Sequence, residues 1–328
     1  MLKTGRFSNS ITLTSPYSLK ESLGRIKRTV FGLNKNNEGN VDYISKNHIA
    51  NKITPKYTIT FIGDIMDMNF KNLIIDDGVK KFVRGSDYLI GNFEGTITSK
   101  KKIMNKRHKP QILDALETMF SPKKTYLSLA NNHSGDFGIC CFSHSVNQLE
   151  ERDFNVFGAE KSPFVDLNED VRVTGSTRWS NRPCNYLIEL EESYQYLKKD
   201  SCNILFPHWG YELELYPRIE TINHGRIILD KFDLLIGHHS HCPQPLSFLP
   251  FDNINKLIAY SLGDFCSGIG GKKLEMMNYG IIIKTEIGTN PEGKWLVGKV
   301  DWSFLKSRSI SKKESIVETT NNISNLFM

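Results

Sequence analysis

Tyr57-Thr58-Ile59-Thr60-Phe61-Ile62-Gly63-Asp64-Ile65-Met66 is a β-branched and aromatic run that closes on a glycine and a carboxylate. Such a run reads as a buried strand, and its glycine permits a tight turn at the strand's end. Asp64 then stands just past that end. The construction recurs four times. Residues 88–90 run into Gly91-Asn92-Phe93-Glu94-Gly95, and 126–129 into Ala130-Asn131-Asn132-His133-Ser134-Gly135-Asp136. Residues 203–206 run into Pro207-His208-Trp209-Gly210-Tyr211-Glu212, and 234–236 into Gly237-His238-His239-Ser240-His241. In open α/β sheets ligands bind beyond the carboxyl ends of strands. Five polar strand ends can therefore converge on one place.

Outward from these motifs, further strands are expected at 171–174, 257–260, 279–285 and 295–302. Helices are expected at 111–120, 142–152 and 220–231. The alternation argues for an α/β layered fold. Residues 57–305 form the main domain. Residues 1–56 are a polar extension, and 306–328 read as a loose tail. The extension holds the charge: it carries ten Lys or Arg against three Asp or Glu, while the whole chain is +6. Within it, Ser18-Leu19-Lys20-Glu21 is a capping-box pattern. Leu19, Leu23, Ile26 and Val30 follow at helical spacing, and Gly32 is a stop. The expectation is a short helix packed on the main domain with its charges solvated. The alternative is a peripheral contact of 18–32 with an anionic membrane or a capsule-synthesis complex.

The composition, 39% hydrophobic and 24% charged, is that of a soluble globular protein. No apolar run reaches the roughly 18 residues that span a bilayer, and no signal peptide is read. A cytoplasmic location is expected, peripheral to the inner membrane face if the helix binds there. The six cysteines, Cys140, Cys141, Cys184, Cys202, Cys242 and Cys266, form no C-x-x-C pair and are expected as free thiols.

The donor types at the strand ends are mixed oxygen and imidazole. That mix suits Mn, Fe or Zn better than Ca, and the lack of paired Cys argues against structural zinc. Two such ions about 3.5–4 Å apart could clamp a phosphoryl oxygen. In Gly237-His238-His239-Ser240-His241, continued strand alternation would place His239 and His241 on one side and turn His238 away.

The ordered set resembles the CapA family of capsule and poly-γ-glutamate synthesis proteins. The motifs that carry it are Gly63-Asp64-Ile65-Met66, Asn92-Phe93-Glu94, residues 130–138, Phe157-Gly158-Ala159, His208-Trp209-Gly210-Tyr211-Glu212, residues 237–241 and Tyr260-Ser261-Leu262-Gly263-Asp264-Phe265. The resemblance covers about 57–266. It implies a calcineurin-like metallophosphoesterase fold, a four-layer α/β/β/α sandwich. It further implies one or two divalent transition-metal ions held by Asp64, Glu94, Asn132, His208, His239 and His241, with Glu94 as the bridging carboxylate. His133, oriented by Asp136, would donate the proton or stabilise the transition state. Glu212 would support the ligands from behind or contact the substrate. The chain departs from the phosphoesterase pattern at Met66, where the family itself commonly has Met, and from the usual motif residues at Asn69, Thr221, Ser240 and Asp264, which points to an altered substrate or a degenerate site.

Lys100, Lys101, Lys102, Lys106, Arg107 and Lys109 follow the Glu94 motif. Their two readings are a solvated loop and a flap that attracts anions, with Lys102, Lys106 and Arg107 as substrate contacts. No aromatic interleaving suggests nucleic acid. The expected function is a metal-dependent hydrolase or transferase acting on an anionic surface polymer or a phosphate-bearing glycan. The alternatives are a non-catalytic accessory subunit of polymer synthesis and an anionic-polymer-binding module.

Overall fold

Thr54–Ile65, the strand that ends beside Asp64, lies inside a ten-stranded mixed sheet. A computed structural model describes residues 17–101, 105–182, 184–268, 275 and 277–323. Tyr279–Thr289 pairs antiparallel on one side of Thr54–Ile65, and Tyr88–Phe93 pairs parallel on the other. Thr125–Ser128 and Asn155–Phe157 extend the parallel side. Trp295–Ser309, Glu314–Thr320 and Asn72–Ile75 extend the opposite side.

A second sheet runs in the order Leu246–Phe251, Ile254–Ala259, Leu234–Ile236, Cys202–His208, Val171–Thr177, Phe164–Asp166. Its four inner strands are mutually parallel, so their carboxyl ends share one edge. Helix α1 spans Leu19–Phe31, α2 Asp77–Val83, α3 Gln111–Met119, α4 Ile139–Glu150 and α5 Ile219–Lys231.

Strand alternation distributes the core. Phe61 and its neighbour Ile62 point to opposite faces, as a period of two requires. Phe61 joins Phe206, Ile236 and Ile283 in one apolar cluster drawn from both sheets. Ile62 joins Leu89, Leu113 and Phe142 in another, on the side of α3 and α4. A third cluster sets Leu205, Leu235 and Ile258 against Ile228 and Leu229 of α5. Each such side chain, fully buried, contributes roughly 1.5–3 kcal/mol. The result is a mixed α/β architecture whose strand ends are held rigidly.

Three expectations change. The segment expected as a loose tail supplies Glu314–Thr320, a strand paired on both sides. Its Ser315 and Val317 face inward although the segment is weakly apolar. The extension is not separate from the domain either. His48–Ile49 pairs with Trp295–Ser309, and the first long strand starts at Thr54.

Helix α1 is the third change. Ser18 caps it, accepting the Glu21 N–H at 3.4 Å, and Gly32 ends it at φ +105°. Its orientation reverses the expectation. The charged side docks: Arg25 pairs with Glu212 at 3.1 Å, Arg28 with Glu214 at 3.2 Å, and Glu21 with Arg218 at 2.8 Å. The apolar stripe faces outward, with Leu23 59% and Phe31 82% exposed. Two buried glutamates on the domain explain this, because an unpaired buried carboxylate costs more than an exposed leucine.

Candidate metal centre

Asp64 is fully buried, and its carboxylate is the hub of the strand ends. Gly63 makes this position possible. A Cβ there would lie 1.9 Å from the Gly263 carbonyl oxygen, to which the Asp64 N–H donates at 2.9 Å. Asn92 Nδ2 donates to Asp64 Oδ1 at 2.7 Å, and the His239 N–H donates to Oδ2 at 3.0 Å. His238 Nδ1 lies 3.0 Å from Oδ1, and His208 Nδ1 lies 3.8 Å from it. The two Nδ1 atoms are 2.8 Å apart.

On the other side, His241 Nδ1 is 3.8 Å from Asp64 Oδ2, and His241 Nε2 is 3.7 Å from Glu94 Oε1. Two sets of donors thus come together, Asp64 with His208 and His238, and Asp64 with Glu94 and His241. Asp64 is the carboxylate common to both sets.

Other expected residues adjoin these sets. Asn132 Oδ1 lies 2.9 Å from His208 Nε2. His133 Nδ1 lies 2.6 Å from Asp136 Oδ2, and its Nε2 lies 3.8 Å from Glu94 Oε1. His239 packs its ring 4.2 Å from that of His208, while its Nε2 meets the Tyr17 hydroxyl at 2.5 Å. Glu212 is buried but tied to Arg25.

The flap residues divide. The Lys106 backbone N–H donates to Asp136 Oδ2 at 2.9 Å, which seats the loop against His133. Arg107 spends Nη1 on the Ser99 carbonyl at 3.0 Å. Lys102 lies outside the described residues.

His238 departs from the alternation argument. The strand stops at Ile236, and the backbone then turns with φ of +98° at His239 and +55° at His241. Alternation does not survive such a turn, so His238 enters the cluster rather than leaving it. Left-handed backbone at a non-glycine residue costs about 1–3 kcal/mol and persists where the surroundings impose it.

Sequence reasoning also passed over Asn92, Asn131, Asn181 and Tyr17. Asn131 Nδ2 donates to the Phe93 carbonyl at 3.0 Å, and Asn181 Nδ2 lies 3.1 Å from His133 Nδ1. Asn92 and Asn131 sat within quoted motifs beside expected ligands. No local pattern marks Asn181 or Tyr17.

The electrostatics are those of a crowded, dry site. Burial pushes the Glu94 carboxyl well above the usual range, with His241 opposing and Asp64 and Asp264 adding to the rise. Burial also lifts Asp264 to about 7, although His241 opposes it from 2.8 Å. For Asp64, burial acts upward, but His238 and His241 together hold the carboxyl below its usual value. Burial disfavours the His241 cation, yet Asp264 and Glu94 raise it to about 10. Burial lowers His239 to about 3 and keeps it neutral, as a ligand must be.

These residues fit a metal. Both Glu94 carboxylate oxygens, His238 Nε2, His239 Nδ1 and Asp264 Oδ2 are buried without a hydrogen-bond partner. Buried polar atoms are ordinarily satisfied, and these orphans belong to residues in or beside the two donor sets that could hold an ion. Among the described residues, the donors at Asp64 are carboxylate and imidazole, with no thiolate. No helix among them is long and apolar enough to cross a membrane.

Comparison with known proteins bears on this cluster. The family described as bacterial capsule synthesis protein PGA_cap matches residues 42–172 and 180–269. The chain is 23% identical to the PGA biosynthesis protein CapA of Bacillus subtilis (strain 168), covering 80% of this chain and 75% of that protein. It is 26% identical to the capsule biosynthesis protein CapA of Bacillus anthracis, covering 66% of this chain and 61% of that one. A solved structure of a hypothetical protein from Thermus thermophilus aligns over 76% of this chain and 99% of that chain, with a TM-score of 0.45 and 12% identity. The matched family ranges contain every donor of the cluster and leave Tyr17 and α1 outside.

Proposed function

We propose, from the premise that this chain belongs to the bacterial capsule synthesis protein family PGA_cap, that it is a metal-dependent hydrolase or transferase of the phosphoester type. Its place would be capsule or surface-polymer biosynthesis, and its substrate an anionic polymer or a phosphate-bearing glycan. The family is metallophosphatase-like. The three apolar clusters, one between sheets and two beneath helices, support a four-layer sandwich of that type.

One observation carries the reading. Glu94 is fully buried, yet neither of its oxygens has a hydrogen-bond partner, and the imidazole nitrogens of His241 and His133 stand off at 3.7 and 3.8 Å. A carboxylate is kept in such a place at a cost of several kcal/mol unless a cation joins it. Asp64, Glu94, His208, His238, His239 and His241 would hold one or two ions, with Asn132 beside them. The donor chemistry favours Mn, Fe or Zn. When bound, such ions supply Lewis acidity toward a phosphoryl oxygen.

The chain's own groups would do the rest. Asp136 fixes the His133 ring through Nδ1, so Nε2 is the atom that holds a proton for the leaving oxygen. Burial of the hub excludes water and strengthens each electrostatic contact. Lys106 adds positive charge on the Glu94 side, which opposes the rise that burial imposes on Glu94 and Asp264.

The test is metal analysis of purified protein beside Asp64→Ala, with turnover of a chromogenic phosphodiester. Stoichiometric Mn, Fe or Zn in the wild type, lost with all turnover in the variant, is the expected result. A wild type that binds no metal under any loading condition overturns the proposal. Bound metal without turnover of any phosphoester would instead favour the accessory-subunit reading.

A further inference from the structure

Tyr17 belongs to the extension, yet its side chain is only 1% exposed. Its hydroxyl reaches His239 Nε2 across 222 positions of sequence. The ring is held from several sides. It meets Trp179 edge-on at 4.9 Å and packs 6.0 Å from Tyr211. The Glu212 N–H donates to the hydroxyl at 3.4 Å. Helix α1 then pins the segment, with Arg28 Nε donating to the Glu212 carbonyl at 2.8 Å beside the three ion pairs described above.

We propose that Tyr17 is a positioning residue of the metal centre: its hydroxyl oxygen takes the His239 Nε2–H and leaves Nδ1 as the nitrogen open to the ion. The two ring nitrogens of His239 are not equivalent. Nε2 has Tyr17, whereas Nδ1 is buried without a partner. A neutral imidazole carries one N–H, and the hydrogen bond made by one nitrogen decides which. Nδ1 is also the nitrogen nearer the backbone, and the backbone N–H of His239 is bonded to Asp64. The ring that carries this unpartnered nitrogen packs 4.2 Å from that of His208, one of the donors at Asp64. A partner of this kind fixes ring orientation and raises ligand basicity, and its loss typically costs 10–100-fold in metal affinity. The segment that supplies it lies outside the residues matched by the family model.

The inference rests on the reading of His239 as a ligand. The experiment separates the two. Co²⁺ is titrated into the full chain as wild type, Tyr17→Phe and His239→Ala, following affinity and the visible d–d bands. Tyr17→Phe keeps the ring against Trp179 and Tyr211 and removes only the oxygen. The expected result is a 10–100-fold weaker affinity and shifted bands in Tyr17→Phe, with thermal unfolding of the metal-free protein little changed. Arg28→Ala, which loosens the helix without touching the ring, should shift both readouts less and in the same direction. Wild-type bands and affinity in Tyr17→Phe, alongside a clear loss in His239→Ala, overturn the role of Tyr17 alone. Equal Co²⁺ binding by His239→Ala and wild type overturns the ligand reading and the inference with it.

Discussion

The cluster beneath the strand ends and the helix that lies across it divide polarity in opposite ways. In the cluster, carboxylates and imidazoles are buried and several of their atoms have no partner. In α1, leucine, isoleucine and phenylalanine stand in water while arginines are drawn in. Both arrangements run against the usual partition, but at different cost. A buried unpaired charge is expensive and calls for a ligand, whereas an exposed leucine is common. The docked side of α1 is ruled by the same expense, since Glu212 and Glu214 are buried and need the cations the helix brings. The cluster dictates the helix's orientation, and the helix does not need its own apolar face to stay in place.

That contrast can be broken at three points. The largest effect is expected at Glu212. Burial would raise its carboxyl, but Arg25, with His241 and His239, holds it at about 2 against an ordinary 4.5. A depressed carboxyl gives stability that is present above the unfolded value and lost as pH falls toward the folded one. Wild type should exceed Glu212→Gln by on the order of 3 kcal/mol above pH 4.5. The gap should close between about 4.5 and 2. Denaturant melts of both proteins across that window check it, and a gap independent of pH would show that the ion pair does not hold the helix.

The next effect concerns Glu94, whose pKa is raised by burial, opposite in sign to Glu212. Without metal its ionisation becomes a penalty as pH climbs above the unfolded value. Glu94→Gln should therefore stabilise the chelator-treated protein by about 1–3 kcal/mol at neutral pH. The metal-loaded pair should rank the other way. Calorimetry with and without chelator decides, and a Gln variant less stable in both states would mean that Glu94 serves the fold. The smallest effect belongs to the outward stripe. Leu23→Ser with Ile26→Ser should change stability by no more than about 0.5 kcal/mol. A larger loss in thermal melts would show that this face is covered.

Much of this was legible in the sequence, for a physical reason. The run 57–66 carries its own burial pattern, and glycines marked where backbones approach closely. That Asp64, Glu94, Asn132 and His208 stand near one another was legible because strand ends advertise themselves locally. His238 was misjudged because the strand stops at Ile236 and the backbone turns left-handed, which no alternation rule anticipates. The helical spacing of α1 was plain, but its docked face depends on Glu212, Glu214 and Arg218, far away in sequence. Tyr17 had no signal at all, since one tyrosine in a polar segment resembles any other. Glu314–Thr320 was missed because its stability comes from neighbours on both sides and not from its own apolar content.

The placement of Glu314–Thr320 has a consequence for how the molecule is made. It sits between Trp295–Ser309 and Asn72–Ile75, so the latter has no partner strand until residues 314–320 emerge from the ribosome. Thr54–Ile65 likewise waits for Tyr279–Thr289 on its antiparallel side. Pairings of such long sequence separation fold slowly. A nascent chain therefore carries several early, aggregation-prone strands until residues 279–320 have been made, and Asp64 reaches its place only when translation of this domain is almost over.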